Sequence, residues 1–347
     1  MNNYLELPPD KLAALFRDWQ LPEYRIKQIR RWIYARKITD FEHMTDLPKT
    51  VRSLLAEKFG SILRSKELKH HISDDASQKL LLELEDGERI ECVLLQNDRH
   101  HRTACISTQV GCAMQCSFCA SGMDGFVRNL TRGEMLEQLL RLNVLLPQDE
   151  RLTHIVVMGI GEPMLNLDAL LDALGEATRS DGLDISVRRV TISTVGIPAG
   201  IRKLADAVVQ TGKGYKLAVS LHAPNDTLRS QIIPYNLRTS IADIFSATDA
   251  YFDKTGRRVT FEYTLIESLN DQPEHITQLA GLLRHRTALV NVIPLNPVLA
   301  LNFRAPSGKA VQHFVERLEA CGIQVKVRFR KGDKIAAACG QLRRGES

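Results

Sequence analysis

The stretch TACISTQVGCAMQCSFCASG, Thr103 to Gly122, holds four of the chain's seven cysteines. Three of them, Cys112, Cys116 and Cys119, are spaced C-x3-C-x2-C. Thiolates in such a group bind zinc or an iron–sulfur cluster. Structural zinc ordinarily takes four ligands from two separated C-x2-C pairs, and this segment has one such pair. A [4Fe–4S] cluster held by three cysteines instead leaves one iron without a protein ligand. That open iron can chelate a substrate such as the amino and carboxylate groups of S-adenosylmethionine (SAM), and an electron passed to SAM splits it into methionine and a 5′-deoxyadenosyl radical. Spacing alone leaves zinc as the alternative.

The rest of the chain must position this loop. With 347 residues, 44% hydrophobic and 25% charged, the sequence reads as one large or two ordinary globular domains. No apolar run reaches the roughly 20 residues that span a bilayer. The opening MNNYLELPPDKLAALF lacks a basic segment ahead of an apolar core, so it is not a secretory signal. The expectation is a cytoplasmic protein with reduced thiols, in which clustered cysteines mean metal or catalysis.

Residues 1 to about 75 read as helices, with proline before two of them and Gly60 as a stop. Asp86–Gly87, between apolar-rich runs, signals a hairpin. From about residue 100, six β-rich runs, from TACISTQ to ALVNVIPLN, alternate with helical stretches, and IQVKVRFR follows the last helix. Six strand–helix repeats mean a parallel α/β sheet, open or curled into a barrel. Chemistry in such folds gathers at the C-terminal ends of the strands. The cysteine triplet follows the first strand and GIGEP (Gly159–Pro163) the second. Ser193 ends the third, Ser220–His222 the fourth and Asn296 the sixth. They converge on one mouth. GIGEP lacks the G-x-G-x-x-G pattern, which excludes a dinucleotide site.

C-x3-C-x2-C with Phe118 before the last cysteine resembles the radical-SAM signature, and GIGEP resembles that superfamily's SAM-cradling segment. Together CISTQVGCAMQCSFCASG, GIGEPMLN, RRVTISTVG, SLHAPND, IPLNP and AACGQL resemble the RlmN/Cfr family of radical-SAM RNA adenosine methyltransferases, from about residue 80 nearly to the end. The resemblance implies a partial (βα)6 barrel over 98–333, a helical accessory domain over 1–75 that binds RNA, a β-hairpin connector over 76–97 and a mobile tail over 334–347. It implies one [4Fe–4S] cluster on Cys112, Cys116 and Cys119, and two SAM per turnover. SAM would be held by Gly161, Glu162, Ser193, Ser220, Leu221, His222 and Asn296.

It also implies how an unreactive adenine carbon is methylated. Cys339 would take a methyl group from one SAM by displacement, as suits a thiolate. The radical from a second SAM would remove hydrogen from that S-methyl group, and the carbon radical would add to the adenine. Glu91 would accept the ring proton, and Cys105 would attack the sulfur of Cys339, releasing RNA and closing a transient disulfide. Cys92 and Cys321 match no catalytic pattern and read as buried, inert small hydrophobes.

Pro163 and SLHAPND resemble the carbon-2 branch of the family; the carbon-8 branch is the alternative. Carbon-2 enzymes act on an adenosine of 23S rRNA in the peptidyl-transferase region, and some on the adenosine beside the tRNA anticodon. An electron donor of flavodoxin or ferredoxin type and a monomeric state are expected. One departure is GDKIAAAC, where Lys334 and Ala336 replace carboxylates that the family usually carries. Net charge is only +5, but YRIKQIRRWIYARK (Tyr24–Lys37) mixes six Lys/Arg with three aromatics, and KVRFRKGDK lies near the C-terminus. Both read as phosphate contacts for RNA or, for the first, as an amphipathic helix with a solvated basic face. More distant alternatives are a methylthiolating radical-SAM enzyme with a second cluster, and a non-catalytic Fe–S RNA-binding or redox protein.

Overall fold

The computed structural model describes residues 3–97, 100–296, 298, 301–328 and 335–343. The N-terminal segment builds α1 (Pro9–Asp18), α2 (Tyr24–Arg30) and α3 (Lys49–Phe59). Pro9 opens α1, where a missing N–H goes unnoticed, and α3 stops at Gly60 with a φ of 66°. Helix α2 runs on into a wider π-helical turn, Arg31–Ala35, that buries Trp32, Ile33 and Tyr34.

Helix was expected up to about residue 75, but Lys66–Ile72 is a strand, β1. Its sequence KELKHHI has little apolar content to announce it, and its charges suit the exposed sheet edge it forms. It pairs antiparallel with β2 (Gln78–Glu83), and β2 with β3 (Arg89–Gln96) across the expected Asp86–Gly87 turn. Strand β3 joins β4 (Arg102–Cys105) antiparallel. A small hairpin of β5 (Gln109–Gly111) and β6 (Phe126–Asn129) then encloses the cysteine loop.

From β4 the main sheet is parallel, continuing through β7 (His154–Val157), β8 (Val190–Thr194), β9 (Lys216–Ser220), β10 (Val259–Leu265), β11 (Ala288–Pro294) and β12 (Val325–Val327). The crossovers are α4 (Arg132–Val144), α5 (Leu167–Ala177), α6 (Pro198–Thr211), the pair α7 (Asp226–Ile232) and α8 (Ile241–Thr255), α9 (Pro273–Leu283) and α10 (Gly308–Ala320). The strand order runs from β1 to β12 without returning on itself, so the barrel is partial. Six strand–helix units stand as expected; β12 is a seventh parallel strand and α7 was unforeseen. Central strands are buried on both faces and read as apolar runs, as in Leu217–Val219. Among the described residues no helix is long and apolar enough to cross a membrane.

The basic, aromatic α2 segment is only partly a solvated face. Trp32 donates its indole N–H to Asp46, and the Tyr34 hydroxyl donates to Glu176 on α5 (3.1 Å). The buried Arg30 guanidinium pairs with Glu176 (2.5 Å) and with Asp181 (2.9 Å), and Arg132 reaches the other Glu176 oxygen (3.2 Å). These groups tie the accessory domain to the barrel, leaving Tyr24, Arg25, Lys27 and Arg31 at the surface or half-buried. Arg30→Ala should destabilise the protein by about 3 kcal/mol in urea unfolding, since it strips a buried carboxylate of its shortest partner. Arg151→Ala, which breaks an exposed pair with Asp184, should change stability by about 0.5 kcal/mol or less.

Candidate active site

The loop between β5 and β6 is held by its backbone. Cys112 N–H donates to Gly125 O (3.0 Å), Ser117 N–H to Ile232 O (2.9 Å) and Cys119 N–H to Cys116 O (3.1 Å). The three cysteines line a cleft at the C-terminal ends of the parallel strands. Gly161, Glu162, Ser193, Ser220, His222, Asn296 and Cys339 line the same cleft. Leu221, Cys105 and Glu91 do not.

Burial pushes the Cys112 thiol up to about 12 and raises Cys116 and Cys119 as well, with neighbouring thiolates adding repulsion at Cys112 and Cys116. Three thiolates there need a cation to neutralise them. Among the described residues no three His, Cys, Asp or Glu side chains converge closely enough to share one metal ion. The three sulfurs on this cleft wall are the side chains that would hold an iron–sulfur cluster. The Asn296 Oδ1 atom is buried without a hydrogen-bond donor, while its Nδ2 donates to Cys339 O (3.0 Å). An orphaned acceptor in the cleft wall fits a ligand bearing amino and hydroxyl groups, as SAM does.

GIGEP is shaped for close approach. Gly161 sits at a φ of 112°, and a Cβ there would come within 2.6 Å of the Gln109 side chain. The Glu162 carboxylate is already engaged: Oε1 accepts from Met164 N–H (3.0 Å) and the Thr194 hydroxyl (2.7 Å), and Oε2 from Val195 N–H (2.8 Å). Its side chain thus clamps the loops after β7 and β8, leaving the glycine-flanked backbone to face a ligand.

His222 adopts a left-handed φ of 57°, and its Nδ1 accepts from Thr264 N–H (2.9 Å). Burial, with Arg229 nearby, lowers its pKa to about 3, so the ring is neutral with its proton on Nε2. Asn270 bridges the carbonyls of His222 (2.8 Å) and Thr264 (2.7 Å). Arg229 on α7, at 0% exposure, donates to the carbonyls of Leu221 (3.0 Å), Ser220 (3.0 Å) and Val195 and to Asn236 Oδ1 (2.7 Å). Leu221 therefore contributes a carbonyl to this knot. Two further cleft residues, Glu262 and Arg328, escaped sequence reasoning. Glu262 accepts from Asn291 Nδ2 (2.8 Å), and Arg328 Nη1 lies 3.2 Å from Met158 Sδ. Arg328 belongs to the basic run read as an RNA contact, but it points into the cleft, where a Cys339 thiolate, Glu262 and Cys105 favour its charge. Residues 329–334, including Lys334, lie outside the described residues.

Cys339 is docked. Its segment is held by Ala120 N–H to Gly340 O (2.8 Å), the Ser121 hydroxyl to Leu342 O (2.7 Å) and an Arg343–Asp124 ion pair (3.0 Å). Cys105 lies behind the cleft among Val93, Ile160, Ala337 and Leu342, close enough to Cys339 for that thiolate to disfavour its own; burial chiefly raises it to about 12. Glu91 is buried on β3, with Oε1 2.8 Å from Lys79 Nζ and Oε2 accepting from Arg343 N–H (2.8 Å). Cys92 is buried as expected, but Cys321 is exposed where α10 ends.

Residues 2–60 match the family "Ribosomal RNA large subunit methyltransferase N-terminal domain", and residues 106–280 match the "Radical SAM superfamily". The "Probable dual-specificity RNA methyltransferase RlmN" of Rhodopirellula baltica is 52% identical over 99% of this chain and 91% of its own length. The chain belongs to the RlmN family. The "Ribosomal RNA large subunit methyltransferase N" of Nitrosopumilus maritimus is 43% identical over 99% of each chain. The crystal structure of a radical SAM methyltransferase from Sphaerobacter thermophilus superposes with a TM-score of 0.94 at 40% identity, covering 99% of this chain and 100% of that one. The protein is thus a radical-SAM RNA methyltransferase whose cofactors are SAM and a [4Fe–4S] cluster. In RlmN enzymes the cluster supplies, when bound, the electron that cleaves SAM.

The sign of one pH effect follows from His222. The unfolded imidazole, with an ordinary value of 6.5, takes up a proton that the folded one refuses down to about 3. The fold therefore loses stability as pH falls through that window, by about 1.4 kcal/mol per unit at most from this residue. His222→Asn, which tolerates the left-handed backbone, should flatten the pH 4–7 slope of urea-unfolding stability by up to that amount.

Proposed function

We propose that this chain methylates carbon 2 of an adenosine in the peptidyl-transferase region of 23S rRNA and of the adenosine beside the tRNA anticodon, consuming two SAM per turnover. Cys112, Cys116 and Cys119 hold the cluster. Gly161, Glu162, Ser193, Ser220, Leu221, His222 and Asn296 form the SAM site, Leu221 through its backbone and Glu162 chiefly by fixing the two loops. Cys339 carries the methyl group, Glu91 accepts the ring proton, and Cys105 attacks the Cys339 sulfur so that the carbon–sulfur bond breaks and a disulfide forms.

The observation that carries this reading is the position of Cys339. It lines the cleft shared by the three cluster cysteines, with Cys105 behind it in an apolar pocket that Ala337 and Leu342 of the same tail complete. A sulfur that passes a methyl fragment between a radical source and a resolving thiol has to lie between them. The names of the relatives, "dual-specificity RNA methyltransferase", support two RNA substrates, and Pro163 with SLHAPND supports carbon 2. A one-electron donor of flavodoxin or ferredoxin type, a monomeric state and a cytoplasmic site of action complete the reading.

The test uses anaerobic cluster-loaded protein, SAM with a deuterated methyl group, and unmodified 23S rRNA and tRNA fragments, with mass analysis of the digested nucleosides. Labelled 2-methyladenosine is expected from both RNAs and should vanish in Cys339→Ala. Label in 8-methyladenosine would move the chain to the carbon-8 branch. Deoxyadenosine without methylated nucleoside would overturn the RNA target.

A further inference from the structure

We propose that the buried Lys79–Glu91 pair is a latch that seats the Cys339 loop in the cleft, which makes Lys79 a positioning residue for the methyl carrier. The purpose assigned to the loop rests on the reading above; its seating does not.

The two side chains stand on neighbouring strands β2 and β3, 1% and 3% exposed, with Nζ and Oε1 2.8 Å apart. An ion pair buried in a hairpin gains little over apolar residues of similar size, because both ions lose their hydration. Two further hydrogen bonds of this pair reach the segment that carries Cys339. Lys79 Nζ donates to Ala336 O (3.2 Å), and Glu91 Oε2 accepts from Arg343 N–H (2.8 Å). Those contacts bracket Cys339, on Ala336 before it and on Arg343 after it. Between them Ala337 and Leu342 are buried against Val93, Cys105 and Ile160. Ala336, the point held by Lys79, has a left-handed φ of 48°, a strained conformation for a residue with a Cβ. From the opposite side the loop rests on Ala120, Ser121 and Asn296. The hairpin, remote in sequence, thus closes over both flanks of a loop whose cysteine faces the cleft.

The latch is tested by the rate at which N-ethylmaleimide alkylates Cys339 in cluster-loaded protein, anaerobically and without SAM or RNA, read by mass spectrometry of the Cys339 peptide. Lys79→Met combined with Glu91→Leu removes both ions together, so neither is left buried alone. Arg343→Pro deletes the N–H that Glu91 accepts, whereas Arg343→Ala keeps it and removes only the Asp124 pair. The double variant and Arg343→Pro should each raise the rate about tenfold, as expected when docking bonds of ordinary strength are lost. Arg343→Ala should stay within about threefold of the parent. Iron content and melting temperature serve as controls; should the double variant fail them, the Arg343 pair decides alone. A double variant that folds and labels at the parent rate would overturn the latch, and so would equal rates for Arg343→Pro and Arg343→Ala. Because no RNA is present, slow parental labelling that the variants release would uphold the latch even where the methylation assay fails.

Discussion

A guanidinium that, among the described residues, hydrogen-bonds to no carboxylate holds the rim of this active site. Arg229 is wholly buried, and burial lowers its pKa to about 10, yet its hydrogen-bond partners are carbonyls and one amide oxygen. A desolvated cation is tolerable only while such dipoles surround it. Because the carbonyls come from Val195, Ser220 and Leu221, the loops after β8 and β9 cannot part without stranding the charge. His222 follows directly in its left-handed turn, with Asn270 fixing its carbonyl. Glu162 repeats the device between the loops after β7 and β8, as an anion receiving N–H and O–H donors. The cleft is therefore shaped before any ligand arrives, the condition under which fixed dipoles act without reorganising.

Much of this could be read from the sequence, for identifiable reasons. Buried parallel strands write themselves as apolar runs, and the fold's rule that loops at one end carry chemistry put Cys112, Gly161, Ser193, Ser220 and Asn296 together correctly. Interactions across long separations left no local trace. Glu162 resembles a ligand-binding carboxylate, but its oxygens are taken by Met164 two positions on and by Thr194 and Val195 more than thirty positions on. Arg229 in TLRSQIIP looks like an ordinary surface arginine of a short helix. Arg328 sits in a basic run that suggests phosphate, although the strand's last residues turn it inward. Strand β1 was invisible because an exposed edge needs no apolar pattern.

Glu91 shows how geometry refines a role. With the Cys339 loop docked, one oxygen of its carboxylate faces Lys79 and the other holds Arg343 N–H. Burial raises its pKa against the pull of Lys79, which favours taking up a proton. Each oxygen keeps a further lone pair, so the proton-accepting role proposed for Glu91 is compatible with both contacts.

The contact between α2 and the barrel bears on how such a protein is inherited. Glu176 lies inside the barrel layer, yet its shortest partner, Arg30, comes from the accessory segment, and the Tyr34 hydroxyl caps the same oxygen. A catalytic domain separated from its first sixty residues would leave that anion with Arg132 alone. Recombination that exchanged this segment for another module would have to deliver a cation to the same spot to restore the pair. Segment and barrel are thus bound to change together, as one unit of descent.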